Sequence, residues 1–261
     1  MLKAIISGCN GKMGQVLAGL IENDPGITVS AGFDTLANSK CSFPVYSKHK
    51  SCKEEADVII DFSNSEGLDC LLEYAVSKNI PLVIATTGLS SSQLQKIKKA
   101  SQYIPIFQSG NMSVGINLVM KLVEETAKVL HENFDIEIIE KHHNQKVDAP
   151  SGTALMLAES AKSGLSEKAE YVYNRTNVRK KREKNEIGIH SLRGGTIVGE
   201  HSVVFAGNDE IIEINHTALS RNIFGVGAIR AAKFVVTQKP SLYNMKDLIS
   251  KEGKKSRREI N

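Results

Sequence analysis

Leu2-Lys3-Ala4-Ile5-Ile6-Ser7-Gly8-Cys9-Asn10-Gly11-Lys12-Met13-Gly14 opens the chain and decides its fold class. The first half is an apolar, isoleucine-bearing run, short enough for a buried parallel strand. The second half is a GxxGxxG turn, a variant of GxGxxG, ahead of a helix predicted over residues 13–22 with Val16, Leu17, Leu20 and Ile21 at helical spacing. Glycines there permit a tight turn and let backbone N–H groups approach a pyrophosphate at a helix N-terminus, which favours anions. Residues 27–33 read as the second strand, and Asp34 ends it twenty residues after Gly14. A carboxylate at that place accepts hydrogen bonds from an adenosine ribose. The Walker pattern GxxxxGK[ST] is absent, which disfavours a phosphate-cleaving P-loop.

Outward from this motif, strands are predicted at 57–62, 80–85 and 104–108, with helical patterns at 66–78 and 91–101. Strands alternating with helices of this length mean βαβ units and a parallel sheet. After Gly110 the rhythm changes. Residues 114–130 read as a long amphipathic helix with Leu118, Leu122 and Val129 on one face, followed by a strand at 135–143 and a short helix at 153–162. Residues 175–184 hold six basic residues among ten and read as a solvated loop. Stretches 186–192, 196–205 and 210–215 read as consecutive antiparallel strands, residues 225–236 as a helix, and 251–261 as a charged tail. The expected fold class is α/β: a Rossmann-like parallel-sheet nucleotide domain plus an α+β domain on a mostly antiparallel sheet.

Composition narrows the function classes. With 261 residues, 41% hydrophobic and 24% charged, the chain is that of an ordinary globular enzyme. A net charge of +4 is too small to argue for nucleic acid and suits an anionic small molecule. No apolar run approaches the ~18 residues of a membrane span. The N-terminus runs straight into a strand with no signal-peptide pattern. Cys9, Cys41, Cys52 and Cys70 show no CxxC spacing, so neither a zinc site nor a disulfide framework is expected. A cytoplasmic enzyme without metal is the expectation. Tyr46 and Lys50 have the Tyr-x-x-x-Lys spacing of short-chain dehydrogenases, but they sit in a polar loop early in the chain and are dismissed.

The densest reactive cluster is Glu137-Ile138-Ile139-Glu140-Lys141-His142-His143-Asn144-Gln145-Lys146-Val147-Asp148-Ala149-Pro150-Ser151-Gly152-Thr153-Ala154. Successive strand side chains point to opposite faces, so His142 and His143 cannot simply chelate one metal together. A histidine gives or takes a proton near neutral pH, Lys146 supplies a fixed cation, and helix-start N–H groups at Ser-Gly-Thr bind a carboxylate. That set protonates and holds a small anionic substrate.

This stretch resembles the signature of the 4-hydroxy-tetrahydrodipicolinate reductase family, also called dihydrodipicolinate reductases, Glu-x-x-Glu-x-His-His-x-x-Lys-x-Asp-x-Pro-Ser-Gly-Thr-Ala, at every defining position. The resemblance extends to residues 8–14, 61–63, 85–88 and 109–115, to Arg193-Gly194-Gly195, to Val198-Gly199-Glu200-His201, and from His216 through Arg221 to Arg230. It implies a homotetramer with a nucleotide domain at 1–113 and 220–261 and a substrate and oligomerisation domain at 114–219. The implied substrate is a cyclic dicarboxylic imine of the diaminopimelate route to lysine, which loses water and takes hydride from NADH or NADPH. By the same resemblance His142 is the general acid and Lys146 its cationic partner. His143, Ser151, Gly152 and Thr153 bind substrate. Gly8, Cys9, Asn10, Gly11, Lys12, Met13, Gly14, Asp34, Ala85, Thr86, Thr87, Ser109, Gly110, Asn111 and Met112 lie at the cofactor.

The chain departs from the family pattern in two places. Met112 stands where many relatives have an aromatic residue, and Thr35 and Leu36 follow Asp34 where others have an arginine for a 2′-phosphate. Lys40 and Lys48 are the nearby cations, so both cofactors are expected, with NADH used at least as well. A sugar or amino-acid dehydrogenase of similar plan does not account for 142–153 as a unit, and the intact His142 and Lys146 argue against a nucleotide-sensing protein that has lost catalysis. The basic loop lacks the interleaved aromatics of a nucleic-acid site.

Overall fold

The structure, a computed structural model, describes residues 1–36, 41–166, 168–176 and 178–258, with side chains described to residue 251. The chain divides into two compact units, Met1–Val114 with Arg221–Asn261, and Gly115–Ser220. The N-terminal segment runs β1 (Leu2–Ser7), α1 (Lys12–Glu22), β2 (Ile27–Phe33), β3 (Val45–Tyr46), β4 (Val58–Asp61), α2 (Leu68–Lys78), β5 (Leu82–Ile84), α3 (Ser91–Ala100) and β6 (Pro105–Gln108). The second unit holds α4 (Val114–Leu130), β7 (Asp135–His142), α5 (Gly152–Ser163), β8 (Glu170–Val172), β9 (Glu186–Arg193), β10 (Gly199–Ala206) and β11 (Ile211–Ala218). The chain then returns to the first unit through α6 (Asn222–Val235), β12 (Ser241–Tyr243) and α7 (Met245–Arg258).

The first unit is a seven-stranded sheet in the order β12-β6-β5-β4-β1-β2-β3. Every described ladder in it is parallel. Its strands are apolar on both faces because both faces are covered. Ala4, Ile6, Val58, Ile60 and Val83 pack toward the helices α1 and α6, while Ile5, Ile59, Leu82 and Ile84 pack toward α2 and α3. Ser90 and Gln93 close α3 with a reciprocal capping box, and Asn79 ends α2 in the left-handed region (φ 54°).

The second unit is a five-stranded mixed sheet, β11-β10-β7-β9-β8, with α4 and α5 on one face. The expected antiparallel character holds for the β11-β10-β7 half. The other half corrects the reading of three consecutive antiparallel strands, because β9 pairs in parallel with β7 and with β8, and β7 separates β9 from β10. The apolar face of α4 is also corrected. Ile116, Val119, Met120, Val123 and Ala127 are buried, whereas Leu118, Leu122 and Val129 are 45%, 46% and 80% exposed. Both sets have helical spacing, and only packing against β7 and α5 selects between them.

The loop read as solvated is partly a clamp. Arg182 reaches Asp135 at 2.8 Å and Glu137 at 3.1 Å, and Arg175 reaches Glu137 at 2.9 Å and also pairs with Glu186. Arg179 and Lys181 are exposed. Among the described residues no helix is long and apolar enough to cross a membrane.

Candidate active site

The first unit presents its predicted residues at the carboxyl ends of parallel strands, where open α/β sheets bind ligands. Gly8 follows β1 at φ +78°, and a Cβ there would stand 2.8 Å from the Phe62 carbonyl oxygen. At Gly14 a Cβ would strike the Gly8 carbonyl, so α1 approaches the loop only because no side chain intervenes. Gly11 precedes α1 without a side-chain cap, leaving the helix start open to an anion. A cleft of about 1120 Å³ runs past Gly8, Asn10, Gly11, Asp34, Lys48 and Tyr74. Asp34 accepts the Asn10 N–H at 3.0 Å and the Leu36 N–H at 3.3 Å. A carboxylate has about four acceptor positions, so it retains capacity for ribose hydroxyls. A dinucleotide therefore fits the residues present.

The other predicted cofactor residues are placed less uniformly. Cys9 turns inward, and burial pushes its thiol up to about 12, so only its backbone faces a ligand. Lys12 is exposed and Met13 half-buried in the first turn of α1. Ala85, Thr86 and Thr87 follow β5; Thr86 donates to the buried Asp61 at 2.7 Å, and Thr87 is exposed. Ser109, Gly110, Asn111 and Met112 follow β6, with Ser109 donating to the Asn111 carbonyl at 2.7 Å. Met112 lies in the core, 2% exposed. Lys40 lies outside the described residues.

In the second unit His142 ends β7, two residues beyond Glu140 on the same face. Its Nδ1 is 2.5 Å from Glu140 Oε2. Arg193, beside His142 in the β7–β9 register, grips both Glu140 oxygens at 2.7 and 2.8 Å. Glu140 Oε1 also accepts the Ser151 N–H at 3.1 Å. Burial alone would raise the Glu140 carboxyl, but Arg193, Ser191 and His142 hold it at about 2. Burial lowers the proton affinity of His142, and Glu140 opposes that shift. His142 at rest is therefore a neutral imidazole that donates Nδ1–H to Glu140 and keeps Nε2 for a ligand. Nε2 faces Gly199, where a Cβ would sit 3.1 Å away.

Lys146 pairs with Asp148 at 2.8 Å, and the Asp148 carboxylate also takes the Gly152 N–H. Ser151 caps α5, its hydroxyl accepting the Ala154 N–H at 3.2 Å and lying 3.1 Å from His201 Nε2. Gly152 and Thr153 are the first residues of α5, and His143 is half-buried just past β7. Glu140, Arg193 and His201 were not singled out as site residues from the sequence. For Glu140 a signal existed, its two-residue offset from His142 on a strand. Arg193 and His201 lie on other strands, and register alone brings them in.

A glycine-turned parallel sheet and a second unit offering an imidazole, a lysine and a capped helix start define a two-domain, nucleotide-dependent oxidoreductase. The family model described as "Dihydrodipicolinate reductase, N-terminus" matches residues 2–112, and that described as "Dihydrodipicolinate reductase, C-terminus" matches residues 115–249. The chain belongs to the dihydrodipicolinate reductase family. It is 57% identical over 251 residues to the 4-hydroxy-tetrahydrodipicolinate reductase of Caldanaerobacter subterraneus subsp. tengcongensis, covering 96% of this chain and 99% of that protein. It is 48% identical over 253 residues to that of Clostridium novyi, covering 97% and 100%. The solved structure of dipicolinate-bound dihydrodipicolinate reductase from Paenisporosarcina sp. TG-14 matches with a TM-score of 0.79 at 25% identity, covering 94% of this chain and 97% of that one.

The buried titratable groups fix the sign of the acid response. His142, His201 and His216 are all shifted down by burial, His201 to about 4. A histidine with a folded pKa below its unfolded value stabilises the fold above the unfolded value and loses that contribution as pH falls. For His201 the window runs from 6.5 down to about 4, and for Glu140 from 4.5 down to about 2. The melting temperature followed by calorimetry should therefore fall steadily from about pH 7 toward about pH 4, and His201→Gln should flatten the upper part of that fall. A melting temperature flat across this range would contradict the burial-driven shifts.

Proposed function

We propose that the protein reduces 4-hydroxy-tetrahydrodipicolinate to tetrahydrodipicolinate, with loss of water, in the diaminopimelate route to lysine. The observation that carries this reading is the placing of His142, backed by Glu140, and of Ser151 at the start of α5 around one carboxylate. The Paenisporosarcina relative, bound to the dicarboxylate dipicolinate, supports an anionic ring as ligand. Residues 1–113 and 220–261 carry the cofactor, and residues 114–219 carry substrate and the oligomer contacts. Bound at the glycine turn, NADH or NADPH supplies the hydride.

The chain's own groups hold the substrate and manage its proton. Substrate carboxylate replaces Asp148 at Lys146 and at the Gly152 N–H, with Ser151, Thr153 and His143 completing the anion site. A dianion arriving beside His142 favours the imidazolium, so the resting neutral ring becomes a proton donor through Nε2. Glu140 stabilises that cation, as a buried carboxylate does behind a catalytic histidine. His142→Gln should lower kcat roughly a hundredfold or more with little change in the Kd for dipicolinate, because a general acid acts mainly in the transition state. Lys146→Ala should weaken both. Near wild-type kcat in each variant would remove this segment from the chemistry.

Both cofactors are accepted, NADH at least as well as NADPH. Asp34 binds ribose hydroxyls and repels a 2′-phosphate, Thr35 and Leu36 add no compensating charge, and Lys48 in the same cleft softens the repulsion. In steady-state kinetics Asp34→Ala should lose roughly ten- to hundredfold in kcat/KM for NADH, the worth of hydrogen bonds to a charged group. A strong wild-type preference for NADPH, or an unchanged NADH efficiency in the variant, would refute this assignment.

The active protein is a homotetramer. The sheet face opposite α4 and α5 carries Ile139, Leu192 and Ile211 at 37%, 48% and 65% exposure, apolar area that a partner covers. Sedimentation should give a mass near four chains, and Ile139→Lys should lower it. A wild-type monomer would refute it. The cysteine pattern, with no CxxC spacing among Cys9, Cys41, Cys52 and Cys70, fits a reducing, cytoplasmic setting.

A further inference from the structure

Ser151 has two neighbours for its hydroxyl, the Ala154 N–H at 3.2 Å and His201 Nε2 at 3.1 Å. A serine hydroxyl has one proton and two acceptor lone pairs. The tautomer of His201 therefore decides what Ser151 can offer a ligand. With the proton on Nε2, His201 donates, both lone pairs of Ser151 are filled, and the serine proton is left for a ligand. With the proton on Nδ1, Ser151 must donate to Nε2, and only a lone pair is left for the ligand. A lone pair repels a carboxylate.

The surroundings select between the two. His201 is 6% exposed, and its Nδ1 is buried with no hydrogen-bond partner among the described residues. Its cross-strand neighbours on the same face are His216, which makes no hydrogen bond with that nitrogen, and Glu140, whose oxygens are taken by His142, Arg193 and the Ser151 N–H. A proton on Nδ1 would thus be an orphaned buried N–H, rarer in folded proteins than an orphaned acceptor. The His142 ring packs edge-on at 5.2 Å without hydrogen-bonding that nitrogen. Burial keeps the ring neutral at pH 7, so one of its nitrogens is bare.

We infer that His201 is a positioning residue that donates Nε2–H to Ser151 and so makes the Ser151 hydroxyl a pure donor aimed at a substrate carboxylate. The inference rests on the reading of residues 151–153 as the carboxylate site. It extends the recognition apparatus to β10. It also gives Ser151 two tasks at once, since the lone pair that caps α5 is not the group that meets the ligand.

The test uses the full-length protein labelled with ¹⁵N-histidine. Long-range ¹H–¹⁵N correlations of the His201 ring should show a protonated Nε2 and a bare Nδ1, with and without dipicolinate; a protonated Nδ1 overturns the inference. Calorimetric Kd values for dipicolinate supply the second arm. His201→Leu should weaken binding roughly three- to tenfold, the worth of one oriented neutral hydrogen bond, with the NADH Kd unchanged. His201→Gln, whose amide N–H stands in for Nε2–H, should restore binding to within about twofold of wild type. In a Ser151→Ala background His201→Leu should cost nothing further, because its effect passes through that hydroxyl. Additive losses, or a glutamine variant as weak as the leucine one, overturn the inference. Failure of the wild type to bind dipicolinate would overturn the dicarboxylate reading instead, and the ring spectrum would still decide the tautomer.

Discussion

Everything at the catalytic end of the second unit depends on a single carboxylate with no solvent exposure. A buried charge is costly unless it is paired and fully hydrogen-bonded. Glu140 meets that demand with a bidentate guanidinium from Arg193, the His142 Nδ1 and the Ser151 N–H. Because the same two oxygens serve these partners, the imidazole, the helix start and the β7–β9 register cannot vary independently. In the proposed reaction, placing the general acid therefore also places the anion site. The polarity of His142 follows from the same contact, since a carboxylate at Nδ1 leaves Nε2 as the working nitrogen.

The two helix starts proposed to bind anions are built by different physical means. At α1 the start is bare: Gly11 offers no cap, and the approach of Gly14 to Gly8 leaves backbone N–H groups as the recognition surface. At α5 the start is capped by Ser151, and the cap belongs to a hydrogen-bond chain reaching Glu140 on one side and His201 on the other. A bare helix start takes a pyrophosphate through backbone alone. A capped start with fixed hydroxyl polarity discriminates among anions by where it has donors and where it has filled acceptors.

Much of the first unit was readable because buried parallel strands are continuous apolar runs and glycine has few substitutes at φ +78°. Residues 27–33 emerged with their bounds intact, as did the helix at 114–130. The short strands β3, β8 and β12 were not anticipated; two or three residues carry no period. The polar helix α7 was missed because its sequence resembles a charged tail. Reading the loop at 175–184 as solvated failed for Arg175 and Arg182, whose partners Asp135, Glu137 and Glu186 are remote from them along the chain or lie across a turn.

Sequence alone determined which residues are chemically able to act. The glycine turn with Asp34 twenty residues on, and the compact run from Glu137 to Thr153, are local patterns whose spacing constrains backbone and side chains within a few residues. It determined the family as well, because that run is long and specific. Tertiary structure alone decided which face of α4 is buried, which strand lies beside β7, and which distant groups complete the site. Arg193 and His201 reach Glu140 and Ser151 through the ladders of β9 and β10 with β7. Strand register is a balance of packing summed over a whole sheet face, and a one-residue slip would turn both side chains away. No local spacing encodes that balance.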